Sequence, residues 1–281
     1  MTQAPVPAKI LVRGSNDVAS AVAHRLFQMG YPVILHEIPK PSATRRKMSF
    51  TDAVFDGMAT LNGVQARRVT GFLELEKALT AHEFIPVQVW NFSRLIGKLR
   101  PQILVDARMR KHKKPARQIH LAPLTIGLGP NFIAGVTVRV AIETARGEGL
   151  GRVILSGKTA PLQGEPMSIK GHARDRFVYA PCAGKFTTTF QIGDMVAEGQ
   201  EIAHINEIPL TAPVSGKIRG LTHDGAPVVV RTKVIEIDPR GDNGKVSGIG
   251  ERPSCIADGV LQVVNDWQAG QPSRAGTGRR K

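Results

Sequence analysis

The stretch Ala180-Pro181-Cys182-Ala183-Gly184-Lys185 returns as Ala212-Pro213-Val214-Ser215-Gly216-Lys217, 32 residues later and without a gap. Gly193, Val196, Ile202 and Ile205 of the first copy match Gly225, Val228, Val234 and Ile237 of the second. Short apolar runs between Gly turns are strand signals. Two matched halves of this kind predict an all-β barrel-sandwich hybrid over residues 177–240. A carrier domain of that architecture holds its modifiable lysine between the halves. Here that segment reads His204-Ile205-Asn206-Glu207-Ile208-Pro209-Leu210 and has no lysine, so neither biotin nor lipoate attachment is expected.

Upstream of the repeat, strand and helix patterns alternate. Lys9-Ile10-Leu11-Val12-Arg13 is an apolar run ending at Gly14, a helical pattern follows from Asp17 to Met29, and Pro32 to Glu37 reads as the next strand. Helical patterns at 50–58, 73–79 and 91–99 alternate with strands at 85–89, 103–106, 124–130 and 136–142. The predicted fold class is therefore α/β: an N-terminal Rossmann-like parallel sheet with flanking helices over 9–158, followed by the all-β unit. Residues 159–176 read as a Pro/Gly-rich linker, and 241–268 as a loop and a last amphipathic helix. Residues 1–8 read as a flexible arm and 269–281 as a disordered basic tail.

The chain has 281 residues, 42% of them apolar and 22% charged, enough for two domains that each bury a core. No apolar run reaches the ~18 residues of a membrane span, so no membrane partner is expected. Cys182 and Cys255 lie far apart and form no metal-binding pattern, and the N-terminus lacks a charged leader. A cytoplasmic location is expected. The net charge of +15 calls for an anionic partner or serves solubility, and it clusters at Arg45-Arg46-Lys47, at Arg108 to Lys114 and in the tail. Aromatics make up only 5% and no docking module is evident, which argues against nucleic acid.

Gly14-Ser15-Asn16-Asp17-Val18-Ala19 is a degraded dinucleotide fingerprint, with Asn16 where the second glycine normally admits a pyrophosphate. Gly14 suits the turn, Asp17 the helix cap and Glu37 a ribose hydroxyl. Arg45 and Arg46 form a possible phosphate clamp. Asp106, Arg108 and Lys111 begin where a later strand ends, the place where open parallel sheets bind ligands. Gly127 and Gly129 offer backbone N–H groups to an anion. These ten residues are the candidate cofactor-binding set; no metal site and no catalytic residue are assigned. An NAD(P)-dependent oxidoreductase is one reading of the first turn.

Taken together, these segments resemble the accessory proteins of selenium-dependent molybdenum hydroxylase systems. The resemblance rests on Leu11-Val12-Arg13-Gly14 with Asp17 and Ala19, on Glu37, Pro39, Arg45-Arg46 and Ser49-Phe50, and on Val105-Asp106-Ala107-Arg108-Met109 with Lys111. Ile126 to Pro130, Ile142-Glu143-Thr144, Leu150 to Ile154 and Asp238-Pro239-Arg240-Gly241-Asp242 extend it. Asn16 departs from a glycine usual in that family's first turn, and Gly250 to Cys255 departs from its usual pattern. The resemblance implies a maturation role, with a molybdenum hydroxylase as partner and help with selenium or cofactor insertion. It implies an anionic molybdopterin or nucleotide as ligand, which the Arg and Lys side chains would match. Cys255, near a helix start, would be a candidate sulfur or selenium carrier under that reading, or a core thiol.

Overall fold

Runs such as Ile10-Leu11-Val12 and Ile34-Leu35 are buried throughout, which requires cover on both faces of their sheet. The computed structural model describes residues 6–110, 113–162, 164 and 166–270, and it provides that cover. The N-terminal elements are β1 (Ile10–Arg13), α1 (Asp17–Gln28), β2 (Val33–His36), α2 (Asp52–Asp56), β3 (Met58–Leu61) and β4 (Val64–Arg68). They continue with α3 (Phe72–Ala81), β5 (Ile85–Gln88), α4 (Phe92–Leu99), β6 (Ile103–Asp106), β7 (Leu124–Leu128), β8 (Ile133–Ala134), β9 (Val140–Ile142), β10 (Val153–Ile154) and β11 (Gly157–Lys158). Nine of these strands form one sheet in the order β10-β9-β7-β6-β1-β2-β5-β4-β3, and β8 pairs with β11 apart from it.

Strand alternation sorts the layers. Ile10 and Val12 point into a core with Val18, Val22 and Leu26 of α1. Leu11, Ile34 and Leu104 point the other way, onto Leu75 of α3 and Leu95 and Leu99 of α4. The last helix, α5 (Glu251–Ala269), returns to the first face, where Ile256, Val260 and Val264 join the α1 core.

Between β11 and α5 lie β12 (Phe177–Tyr179), β13 (Gly184–Thr187), β14 (Met195–Val196), β15 (Glu201–Ile205), β16 (Ile208–Thr211), β17 (Gly216–Leu221), β18 (Pro227–Val228) and β19 (Lys233–Asp238). They make two four-stranded antiparallel sheets, β12-β19-β17-β14 and β16-β15-β13-β18. A shift of 32 residues carries each strand of the first half onto its counterpart in the second, and so carries one sheet onto the other. Phe186, Ile205, Ile218, Leu221 and Ile237 fill the space between them. The β15–β16 turn is tied down by Asn206, whose Oδ1 accepts from the Lys185 N–H at 3.0 Å.

The expected fold class is corrected on two counts. The large sheet is mixed, not parallel, because β3 and β10 join it as antiparallel edge strands. The helix read over 50–58 stops at Asp56, and a hairpin follows. Its turn, Asn62-Gly63, has positive φ at both residues (45° and 82°), the tight-turn geometry that Asn-Gly favours. The C-terminal part is a set of small antiparallel sheets with two-residue strands at β14 and β18, and the barrel-sandwich hybrid description is withdrawn. Residues 1–5 and 271–281, most of the expected arm and tail, lie outside the described residues.

The small sheets are fastened to the large one by charge. Glu236 on β19 is fully buried and receives Arg45 Nη2 at 3.0 Å, Arg176 Nη1 at 2.9 Å and Lys233 Nζ at 2.8 Å. Arg45 also reaches Asp17 at the start of α1, at 3.1 Å. Arg46 donates through Nε to the Leu221 carbonyl at 2.8 Å, and the Thr44 carbonyl accepts from the Leu221 N–H. Burial alone would raise the Glu236 carboxyl, but Lys233 and Arg45 hold it well below its ordinary value of 4.5. A group depressed in this way stabilises the fold above its unfolded value, and that contribution is lost as pH falls through the folded one. Glu236→Gln is expected to destabilise the chain by about 3–5 kcal/mol in urea unfolding, because it strands several buried cations. The loss of stability expected in the wild type as pH falls below about 4.5 should be shallower in the variant.

Candidate functional site

The strand connections turn back on either side of the β1–β6 pair, and the carboxyl ends of strands at such a point form a crevice. The last residues of four neighbouring strands stand in register there: Asp106 beside Arg13, Arg13 beside His36, His36 beside Gln88. In-register neighbours of a parallel sheet share a face, so these side chains make one polar row. All four are buried, with exposures of 8% or less. The row continues to Gly127 on β7, where a Cβ would collide with the Phe132 ring.

Asp106 carries the row's negative charge. It accepts from Arg108 Nε and from Gln118 Nε2 at 2.8 and 2.7 Å, and it stands 4.0 Å from Arg13 Nη1. Burial would raise its carboxyl, but the Arg108 hydrogen bond and charge bring it below its ordinary value, so it is ionised at neutral pH. Arg13 lies 3.5 Å from the Phe92 ring centre and donates to Gln118 Oε1 at 2.8 Å. Burial and then the Arg108 charge push its guanidinium down to about 10, against the pull of Asp106. Its Nε is buried with no partner among the described residues.

At the row is a cleft of about 690 Å³, lined by Ile38, Pro39, Pro41, Trp90 and Phe92 among others. Arg13, Arg108 and Arg110 bring positive charge to it. Sequence reading missed Arg13 and His36, because a charged or imidazole side chain closing an apolar strand looks like the strand's solvated end. Their shared register with Asp106 is a tertiary fact.

The candidate residues divide into two groups. Asp106, Arg108 and Glu37 stand at or beside the cleft. Gly14, with φ +110°, brings the chain so close to β6 that a Cβ would sit 3.0 Å from the Ala107 carbonyl oxygen. Arg45 and Arg46 are committed to Glu236, Asp17, Asp52 and the Leu221 carbonyl, away from that crevice. Gly127 faces Phe132, and Gly129, with φ +120°, lies against Met109. Lys111 lies outside the described residues.

The dinucleotide position is closed by the chain itself. Asn16 Oδ1 accepts from the Val18 and Ala19 N–H groups, and its Nδ2 donates to the Ala107 carbonyl at 2.9 Å. The N–H groups that would receive a pyrophosphate are thus occupied. Glu37 Oε2, expected on a ribose, accepts from the Ser15 N–H and hydroxyl at 2.8 and 3.0 Å. Away from the cleft, ligand-type atoms of Asp52, Asp56 and His223 lie within 4.8 Å of one another. There His223 stacks on Phe55 with ring centres 4.0 Å apart.

No family model matches the chain. The uncharacterized protein YqeB of Escherichia coli (strain K12) is 41% identical over 255 residues, covering 91% of this chain and 47% of that protein. The chain thus spans about half the length of this relative. Among solved structures, an aspartoacylase family protein from Mesorhizobium loti is 10% identical over 82% of this chain and 84% of its own, with a TM-score of 0.24. A succinylglutamate desuccinylase from a Silicibacter species is 11% identical over 83% and 85%, also at 0.24. The product-bound ectoine utilization protein EutE (DoeB) from Ruegeria pomeroyi is 20% identical over 30% and 27%, at 0.21. At these scores the likeness supports neither a shared fold nor a shared chemistry.

The expected resemblance and role are corrected accordingly. The relatives and structures that the comparisons bring up are an uncharacterized protein and desuccinylase and aspartoacylase family proteins, and these give the expected role no support. The maturation role, the hydroxylase partner, and molybdopterin or a nucleotide as ligand are withdrawn. The oxidoreductase alternative falls with them, since Asn16 and Ser15 occupy the groups a dinucleotide would use. No helix among the described residues is long and apolar enough to cross a membrane.

Asn16→Ala should lower stability by about 1 kcal/mol in denaturant unfolding, the ordinary loss for a capping side chain. Addition of NAD should not restore it.

Proposed function

We propose that the chain is a binding module for a small carboxylic acid, held in the cleft at the carboxyl ends of β1, β2, β5 and β6. The observation that carries this reading is Arg13. It is buried under Phe92 at the base of the cleft, its Nε has no partner, and its Nη2 makes no hydrogen bond with a described residue. A carboxylate is the group that a guanidinium edge fits bidentately.

The charge balance supports a ligand with a single negative charge. Among the described residues, Arg13, Arg108 and Arg110 face Asp106 and Glu37, which leaves one positive charge over. The walls formed by Ile38, Pro39, Trp90 and Phe92 suit an apolar or planar body. Asp106 is ionised and already accepts from two side chains, so the groups here favour holding a ligand over turning one over. Both cysteines are free thiols, which supports a reducing compartment, and we place the protein in the cytoplasm.

Benzoate is a suitable first probe. Titration followed by calorimetry and by fluorescence of the cleft's Trp90 should show saturable binding at one site. Arg13→Met should weaken it roughly tenfold or more, the loss expected for a charge-assisted hydrogen bond. An unchanged affinity in that variant, with thermal unfolding retained, would remove the reading.

A further inference from the structure

The cleft holds a second recognition group. His36 Nε2 lies 2.8 Å from the Trp90 carbonyl oxygen, which can only accept, so Nε2 carries a proton. Burial, and then the charges of Arg13 and Arg108, lower the imidazole's affinity for a second proton, outweighing the Trp90 carbonyl. The ring is therefore neutral and its lone pair sits on Nδ1. No described residue donates to Nδ1, and the atom is not among the buried unpartnered ones, so it opens to the cleft that His36 lines.

His36 and Arg13 are in-register neighbours on β2 and β1, and Phe92 packs on both, with its ring centre 5.5 Å from that of His36. Neighbouring parallel strands lie ~4.8 Å apart. A donor-seeking nitrogen and an acceptor-seeking guanidinium therefore rise from adjacent strands on one face of the sheet.

From this juxtaposition we infer that the ligand class is a planar carboxylic acid bearing a hydroxyl or N–H group, its carboxylate on Arg13 and its donor on His36 Nδ1. The inference rests on the carboxylate-binding reading above and adds a selection rule. A phosphate ester is disfavoured, because a dianion would bring a second negative charge beside Asp106 and Glu37. A carboxylic acid without a donor leaves Nδ1 unsatisfied once the cleft is dry.

The test compares benzoate, the three hydroxybenzoates and phenyl phosphate on the full chain by calorimetry. At least one hydroxybenzoate is expected to bind about fivefold or more tightly than benzoate, the gain from one hydrogen bond. Phenyl phosphate is expected to bind more weakly than benzoate. In His36→Phe, which keeps a ring against Phe92, the hydroxyl advantage should vanish. If no hydroxybenzoate exceeds benzoate in the wild type, or phenyl phosphate matches it, the selection rule is overturned and the carboxylate site stands. If none of the acids binds the wild type at millimolar concentration, the underlying reading fails with it. The wild-type series decides the matter even if the His36 variant does not fold.

Discussion

A carboxylate sealed from water must find its counter-charges inside the protein, and Glu236 finds them on both sides of a domain junction. Arg176, Lys233 and Arg219 come from the small-sheet region or the segment entering it, and Arg45 comes from the loop after β2. The same Arg45 guanidinium holds Asp17 at the start of α1. One charge cluster thus joins the outer face of the β12-β19-β17-β14 sheet to the helix that covers the large sheet. Desolvating so many charges offsets much of their attraction, so such a cluster is better understood as setting an arrangement than as adding net stability. Apolar contact alone would hold the two parts together in several orientations. A bidentate Arg–carboxylate pair holds them in one.

That arrangement reaches the cleft. Ile38, Pro39, Pro41, Ser42 and Ala43 wall it, and residues 44–46 immediately after them are pinned to β17 and β19 by the Thr44 carbonyl, Arg45 and Arg46. The wall of the cleft is therefore fixed by the small sheets, although none of their residues lines it. This gives the repeat a physical role that requires no attachment residue: it holds the loop that shapes the neighbouring site.

The legible parts of the fold were those written in local pattern. The 32-residue offset marks the strands of the small sheets because equivalent turns and apolar positions repeat one by one. The strand–helix alternation marks β1, α1 and β2 because Ile10, Val12, Val18 and Val22 fall at the right periods. What was not legible depends on contacts far apart in sequence. Glu236 sits in Val234-Ile235-Glu236-Ile237-Asp238, where alternation suggests a solvated outer face; the loop around Arg45 covers that face. Arg45 and Arg46 read as a phosphate clamp because their partners lie 191 and 175 residues away. Asn62-Gly63 was a local signal of the β3–β4 hairpin, masked by a helical pattern that continued up to Met58.

The net charge of +15 changes meaning when the structure is considered. Arg45, Arg46, Arg176 and Arg219 all pair with partners in the chain. Their charges are spent within the fold and present little field to a distant polyanion. An excess of basic residues in sequence is thus weak evidence for a polyanionic partner until the internal pairs are removed from the count. Among the described residues, the positive charge that faces the concave, partly apolar cleft is that of Arg13, Arg108 and Arg110, opposed by Asp106 and Glu37. A site so nearly balanced discriminates by the placement of its donors and acceptors, because a mismatched polar group in a dry cleft costs more than its charge can recover.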